Sequence, residues 1–551
     1  FSTVRNDGNI GSDYAPGMEL SFDKDAYPYL TAELGGGVQV THHRRPRVAA
    51  EDIGAMSVCK LGSGCNLLGY YMYHGGTNPK GKLSSLQEST AVGSFCDVPE
   101  LSYDFQAPIR EYGQISETAK ELKLLSMFAH DYGETFCNMQ PQFAGDDCES
   151  TSVHTGDFQD AEDLSAFRMI TRRNGDQAYL FVNNYQRGYE MAEHKDVMLC
   201  VQTADGKISF PKQDIKNGAY FFYPFNFPLS DDVTLRWINQ TPLCNINQKL
   251  WFFYGIDKMQ YEADEKLSGQ VLISMDRTWA KCAWRMKKYP NILFFSALPI
   301  LETENGIEVI CRSDRAQKNC WIIMDATVED AKTWIDNGWK KSDIIPAFLH
   351  VEGDASTICV LSHELSATDN QTVASFTHTD VNNCIIRKEK NVFDRAEKTD
   401  FSESEACVID DTGKDYQEYV IRISYDKAYD AAKENIFLRI DFQADQAELY
   451  MNADKHSTAS SARSDCVHEQ VAKRIANVRF TGEKIADQYY IGDVWEVSLK
   501  RFDFPTELIL RLYPLEEDDK IYLETQPDYV NGRCCSLKDI RCVYEWKENL
   551  C

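Results

Sequence analysis

The pattern of apolar residues changes near Cys137, and that change limits the possible folds more than any other feature of the chain. Before it, strand-like and helix-like stretches alternate. Residues 29–33 form a short apolar run that ends in Glu33 and leads into Gly35-Gly36-Gly37. Residues 48–61 carry apolar side chains at helical spacing, with Ile53, Met56 and Cys59 on one face and Gly62 placed as a C-cap. Residues 66–73 read as a buried strand, closed by His74-Gly75-Gly76-Thr77-Asn78. A loop from Pro79 to Gly113 leads into a second helix over about 116–130, which puts Ala119, Leu122, Leu125 and Ala129 on one face. Strand, helix, strand, loop, helix is the order of a parallel βα arrangement.

After Cys137 strand signals dominate, punctuated by Gly, Asn and Asp turns. They fall at 167–170, 178–182, 220–223, 271–274, 307–311, 436–442, 448–451 and 508–512. Helical stretches are rare; Thr327 to Asp330 reads as a capping box that opens a short helix through Ile335. Many short strands at this spacing predict β-sandwiches or jelly rolls, so the chain is expected to be mainly β overall. Its 551 residues are enough for three to four domains. Turn-rich stretches put the expected divisions at 1–137, 138–262, 263–405 and 406–551.

A net charge of −27 repels phosphate backbones and anionic lipid, so nucleic acid and membrane surfaces are poor partners. The longest apolar stretch, 292–301, is too short to cross a bilayer. The 18 cysteines are scattered, with no CxxC pair and no zinc spacing; Cys59, Cys200, Cys311 and Cys359 lie in apolar runs as small hydrophobes. This usage points to structural thiols in a reducing cytoplasm. The sequons at Asn239 and Asn370 are about what chance supplies. The chain opens at Phe1, without Met, in what already reads as folded sequence, so the true N-terminus and any targeting signal are expected upstream.

Three segments carry the residue types that do chemistry. Glu33 closes a strand and precedes glycines. At the C-terminal end of a parallel barrel strand that is an open catalytic position, and elsewhere it is a carboxylate capping a turn. Tyr70-Tyr71-Met72-Tyr73-His74 combines flat apolar faces with phenol hydroxyls, as sugar rings require, although a plain buried strand accounts for Leu67, Leu68 and Met72. Residues 101–113, rich in polar and aromatic side chains, are either a pocket rim or an ordinary connection.

Together the three resemble glycoside hydrolase family 35. Tyr71-Met72-Tyr73-His74-Gly75-Gly76-Thr77-Asn78 is similar to the family's Y-M-x-x-G-G-T-N on barrel strand eight. Ser102-Tyr103-Asp104-Phe105-Gln106-Ala107-Pro108, with Glu111 and Gly113, is similar to its S-Y-D-Y-D-A-P-x-x-E-x-G. Thr31-Ala32-Glu33-Leu34-Gly35-Gly36 stands where the family has T-E-x-x-G-W on strand seven; here Ala32 is extra and Gly36-Gly37 replaces Gly-Trp. Residues 485–495, followed by Leu499 to Phe502, resemble the family's C-terminal jelly rolls and read as structural, with Trp495 in the core.

The resemblance implies the C-terminal part of a (β/α)8 barrel, strands six to eight, followed by β-sandwich or jelly-roll domains. It implies a retaining hydrolase of terminal β-D-galactosides, with two carboxylates about 5 Å apart and no metal or organic cofactor. Glu33 would be the nucleophile and Tyr71 a contact to sugar or nucleophile. Tyr73 and His74 would line the substrate site, and Tyr103 and Asp104 would join it mainly as loop-anchoring groups. The family's acid/base lies in an N-E motif upstream, and only 32 residues precede Glu33 here. Of these, Phe1-Ser2-Thr3 is the candidate remnant of strand six, and Asp7, Asp13 and Glu19 are the carboxylates near a possible strand end. This chain alone is therefore expected to have little activity. The alternatives are a related specificity such as β-glucosaminides, and a non-catalytic carbohydrate-binding protein.

Overall fold

The computed structural model describes residues 1, 26–81, 86–143, 153–154, 162–315, 317, 319–326, 331–365, 387–390, 408–409, 415–423, 435–451 and 482–551. The protein is mainly β, with 48% strand and 13% helix. The upstream carboxylates Asp7, Asp13 and Glu19, the sequon at Asn370 and the capping box at 327–330 lie outside the described residues, as does all of the strand-six candidate but Phe1.

The first part alternates strand and helix as expected. Strand β1 (Leu30–Gly35) and strand β2 (Leu67–Tyr71) pair in parallel. Between the Thr31–Leu68 and Leu34–Tyr70 pairs, β1 holds one residue more than β2, which makes a bulge at Ala32-Glu33. Helix α1 (Ala50–Gly62) connects them. Its first turn is closed by Asp52, whose carboxylate accepts the Ala49 N–H at 2.9 Å. Gly62 is not the cap expected from the sequence. It is the last helical residue, kept small because a Cβ there would stand 2.7 Å from the Phe1 ring, and the left-handed turn falls at Gly64 (φ 98°). Met56 and Cys59 are half-buried, whereas Ala55, Val58 and Leu61 enter the core.

Helix α2 (Glu117–Phe136) begins where Ser116 Oγ accepts the Ala119 N–H, and it outruns the expected end at His130. Tyr132 and Phe136 extend the apolar stripe one turn at a time from Phe128, their rings 5.4 and 5.3 Å from it. That stripe leaves Ala129 on the solvent side, contrary to the face read from the sequence.

The buried faces of α1 and α2 pack on a seven-stranded sheet. Its order is Tyr261–Ala263, Thr234–Ile238, Ala219–Pro228, Gln177–Asn184, Phe167–Asn174, Gln140–Gln142, with Val153–His154 beside Phe167–Asn174. All eight strand stretches read from the sequence lie within strands. Several sheets draw strands from both sides of expected divisions. Leu250–Gly255 pairs with Val271–Asp276 across residue 262, and Gly306–Arg312 pairs with Ser536–Asn549 across residue 405. Toward the C-terminus, Asn435–Gln443 and its neighbours face the sheet containing Gln446–Met451, Glu483–Tyr489 and Glu507–Tyr513 across one core. Trp495 is buried in that core, as expected.

The expected two-sided burial of β2 is not found. Leu67 is 50% exposed and Tyr71 42%. A parallel strand is buried by neighbours on both sides, and among the described residues β1 and β2 pair only with each other. Cys200, Cys311 and Cys359 are buried thiols, Cys59 is half-buried, and the sequon residue Asn239 is buried and hydrogen-bonded to Lys258 and Gln260. Among the described residues no helix is long and apolar enough to cross a membrane.

Candidate functional site

Three segments separated in sequence meet at the C-terminal ends of β1 and β2. Val38 N–H donates to Phe105 O at 2.7 Å, Gly75 N–H to Ile109 O at 2.7 Å, Ile109 N–H to Tyr73 O at 3.0 Å and Asn78 N–H to Leu101 O at 2.7 Å. Gly76–Thr77 and Ser102–Tyr103 form a short antiparallel ladder. The approach is close enough to require glycine: a Cβ on Gly37 would stand 2.2 Å from Phe105 O, and one on Gly69 2.6 Å from Thr31 O.

Glu33 sits on the bulge of β1 with its side chain exposed, and no described group donates to its carboxylate. The hydrogen bonds expected around an ionised nucleophile are therefore not supplied by the described residues. Thr31, two residues earlier, turns its hydroxyl to Leu67 O at 3.1 Å and ties the bulge to β2.

Tyr71, at the end of β2, packs its ring edge-on against Phe105 (6.1 Å), which in turn lies 4.2 Å from the Tyr103 ring. The Tyr71 and Tyr103 hydroxyls are 2.9 Å apart, and Tyr103 donates to Glu88 Oε1 at 2.9 Å. Desolvation, reinforced by these bonds, holds the Tyr103 phenol well above the usual range. Tyr73 is partly exposed beside Tyr70 (6.2 Å), and Tyr70 is held by the Ser57 hydroxyl at 2.8 Å. His74 is exposed, with Nδ1 against Gly75 O. Tyr71, Tyr73, His74 and Tyr103 thus lie on one strand end and the loop packed on it.

Asp104 is buried, and its oxygens accept from Glu111 N–H (2.7 Å), Gln106 N–H (3.2 Å) and Arg110 Nε (2.7 Å). A carboxylate so committed folds its own loop. Glu111, also buried, accepts from the Thr77 hydroxyl and from Ser102 Oγ at 2.8 Å. Burial raises its acid to about 8, the two hydroxyl bonds oppose the shift, and the charges of Asp104 and Asp487 add to it.

Asp487 had no functional signal in the sequence. Fully buried, it accepts three consecutive backbone N–H groups, Glu100 at 2.6 Å, Leu101 at 2.9 Å and Ser102 at 3.0 Å. Glu88 also went unread; it belongs to a loop closed by Val98 N–H to Glu88 O at 3.1 Å and by Thr90 N–H to Asp97 Oδ1 at 2.7 Å. A cavity of about 90 Å³ separates this rim from the 488–496 segment. Its carboxylates Asp104, Asp493 and Glu496 are paired with Arg110, Arg47 and Arg312. Among the described residues no group of three or more His, Cys, Asp or Glu side chains is placed to hold a metal ion.

The mouth therefore offers the exposed carboxylate of Glu33, exposed phenols at a strand end and an aromatic rim braced by Glu88. No family model matches the chain, and no curated protein matches it.

Proposed function

We propose that the chain is the C-terminal part of a retaining glycosidase of β-galactosidase type, resembling glycoside hydrolase family 35. On this reading β1, α1, β2 and α2 are the last part of a (β/α)8 barrel, and the C-terminal sandwich is a jelly roll. One observation carries it: the three segments with the resemblance, separated in the chain, fold against one another just past the strand that carries Glu33. The departure at Ala32 has a structural counterpart, because the extra residue coincides with the bulge that carries Glu33.

Glu33 then attacks the anomeric carbon, forming a glycosyl ester as the C–O bond to the leaving group breaks; water later hydrolyses the ester. Tyr71 and Tyr73 bind the sugar. The general acid that protonates an ordinary leaving oxygen is not assigned to any described residue, so turnover of simple galactosides by this chain is slow.

The test separates attack from protonation. In 2,4-dinitrophenyl 2-deoxy-2-fluoro-β-D-galactoside the leaving group departs without a proton, and fluorine slows hydrolysis of the ester. Glu33 should gain the mass of one fluorogalactosyl group, seen by peptide mass spectrometry, and the Glu33→Gln variant should gain none. Unmodified Glu33 after prolonged incubation would remove it as the nucleophile.

A further inference from the structure

The chain of hydroxyls behind Tyr71 has a direction. Glu88 is an acceptor on both oxygens: Oε1 takes the Tyr103 proton at 2.9 Å, and Oε2 faces the Gln39 amide at 3.3 Å. A phenol has a single proton to give. Tyr103 gives its own to Glu88, so across the 2.9 Å contact between the phenols Tyr71 is the donor. That leaves the exposed Tyr71 oxygen with lone pairs and no proton for anything beyond the rim.

We infer that Glu88 is a positioning residue that makes the Tyr71 hydroxyl a hydrogen-bond acceptor, so that Tyr71 takes a proton from a hydroxyl of the bound sugar and gives none to Glu33. The inference rests on the glycoside reading of this mouth and deepens it. The site selects a ligand that presents a hydroxyl donor at Tyr71, and an ether, fluorine or carbonyl at that position leaves the phenol oxygen unmatched. Glu88 can hold this polarity because its loop is closed on itself and pinned at Asp97, whose carbonyl accepts the His42 N–H at 2.7 Å. The Tyr103 ring, packed 4.2 Å from Phe105, has little freedom to turn its hydroxyl elsewhere.

The polarity is reversible by a change that keeps the shape. In Glu88→Gln the amide carbonyl stays opposite the Gln39 NH2, and the new NH2 faces Tyr103. Tyr103 then accepts from residue 88 and donates to Tyr71, which turns its own proton outward. Tyr103→Phe removes the relay and leaves Tyr71 able to do either.

The experiment is calorimetric titration of the whole chain and of both variants with methyl β-D-galactoside and each of its monodeoxyfluoro analogues. Fluorine accepts weakly and cannot donate. In the unaltered chain one analogue should bind about tenfold more weakly than the parent, and in both variants that penalty should shrink to within about threefold while parent binding persists. A loss of packing would weaken all the ligands alike and would not change their ratio. Uniform binding of every analogue by the unaltered chain, or an unchanged pattern in Glu88→Gln, overturns the inference while leaving the glycoside reading intact. Absence of heat and of saturation-transfer signal with every ligand overturns the glycoside reading, and this inference with it.

Discussion

Glu111 combines a buried carboxyl, two hydroxyl partners and two carboxylate neighbours, and its raised pKa makes it a reporter of the rim. The folded chain holds that proton more tightly than the unfolded chain does. Its stabilising effect is therefore complete below the ordinary carboxylate range and is lost as pH rises through about 8. Glu111→Gln keeps a neutral group at every pH. Between about pH 5 and pH 9 the unaltered chain should lose several degrees more in melting temperature than the variant. Parallel declines would exclude Glu111 as the titrating group. At the same scale, Asp104 spends its carboxylate on three donors of its own loop, Gln106 N–H, Arg110 Nε and Glu111 N–H.

At the scale of elements, the 100–113 loop is held from outside itself. Asp487, on the strand Glu483–Tyr489, receives its three N–H groups, and Lys484 of the same strand pairs with Glu100 and Glu448. Asp487→Ala leaves those N–H groups buried and unmatched. It should lower stability by about 3 kcal/mol in urea titrations and admit proteolysis near residue 100 first. The two helices depend on a comparable device. Arg172, almost fully buried, donates to Leu61 O (3.1 Å), Cys65 O (3.1 Å), Phe136 O (3.2 Å) and Met139 O (2.7 Å), gathering the C-terminal carbonyls of α1 and α2. Arg172→Met, similar in volume, should cost about 3–5 kcal/mol, and Arg172→Lys should restore little because one ammonium cannot span both helix ends. Full recovery by lysine would show that charge alone matters there.

At the scale of the molecule, the first part of the chain is clasped by the last. Arg45 is fully buried; it donates to Asp445 O at 2.7 Å and to His42 O at 2.9 Å, pairs with the Asp445 carboxylate, and lies 4.7 Å over the Tyr489 ring. Beside it, Arg44–Arg45 and Tyr522–Leu523 form a short parallel ladder. Removing one partner leaves a buried charge, so Arg45→Met should cost about 3–5 kcal/mol. Adding Asp445→Leu should recover much of that loss, since an apolar pair can replace a buried ion pair. A double variant no better than the single would assign the stability to the His42 bond and the Tyr489 stacking.

Periodicity alone determined the strand–helix–strand order before residue 137, the Ser116 start of α2 and eight strands, because the spacing of apolar residues is set by each element's own geometry. The glycines of the motif segments were visible in the sequence, but the backbones that approach them, Phe105 at Gly37 and Asp104 at Gly75, come from elsewhere in the chain. What tertiary structure alone decided is who meets whom. Leu67 is exposed because burial belongs to the neighbours of a strand and not to its composition. Asp487 reaches Leu101 across 386 residues of sequence, and Glu88 acquires its relay only once Tyr103 folds over Tyr71. A carboxylate's role is set by the donors around it, and those are brought together only by the fold.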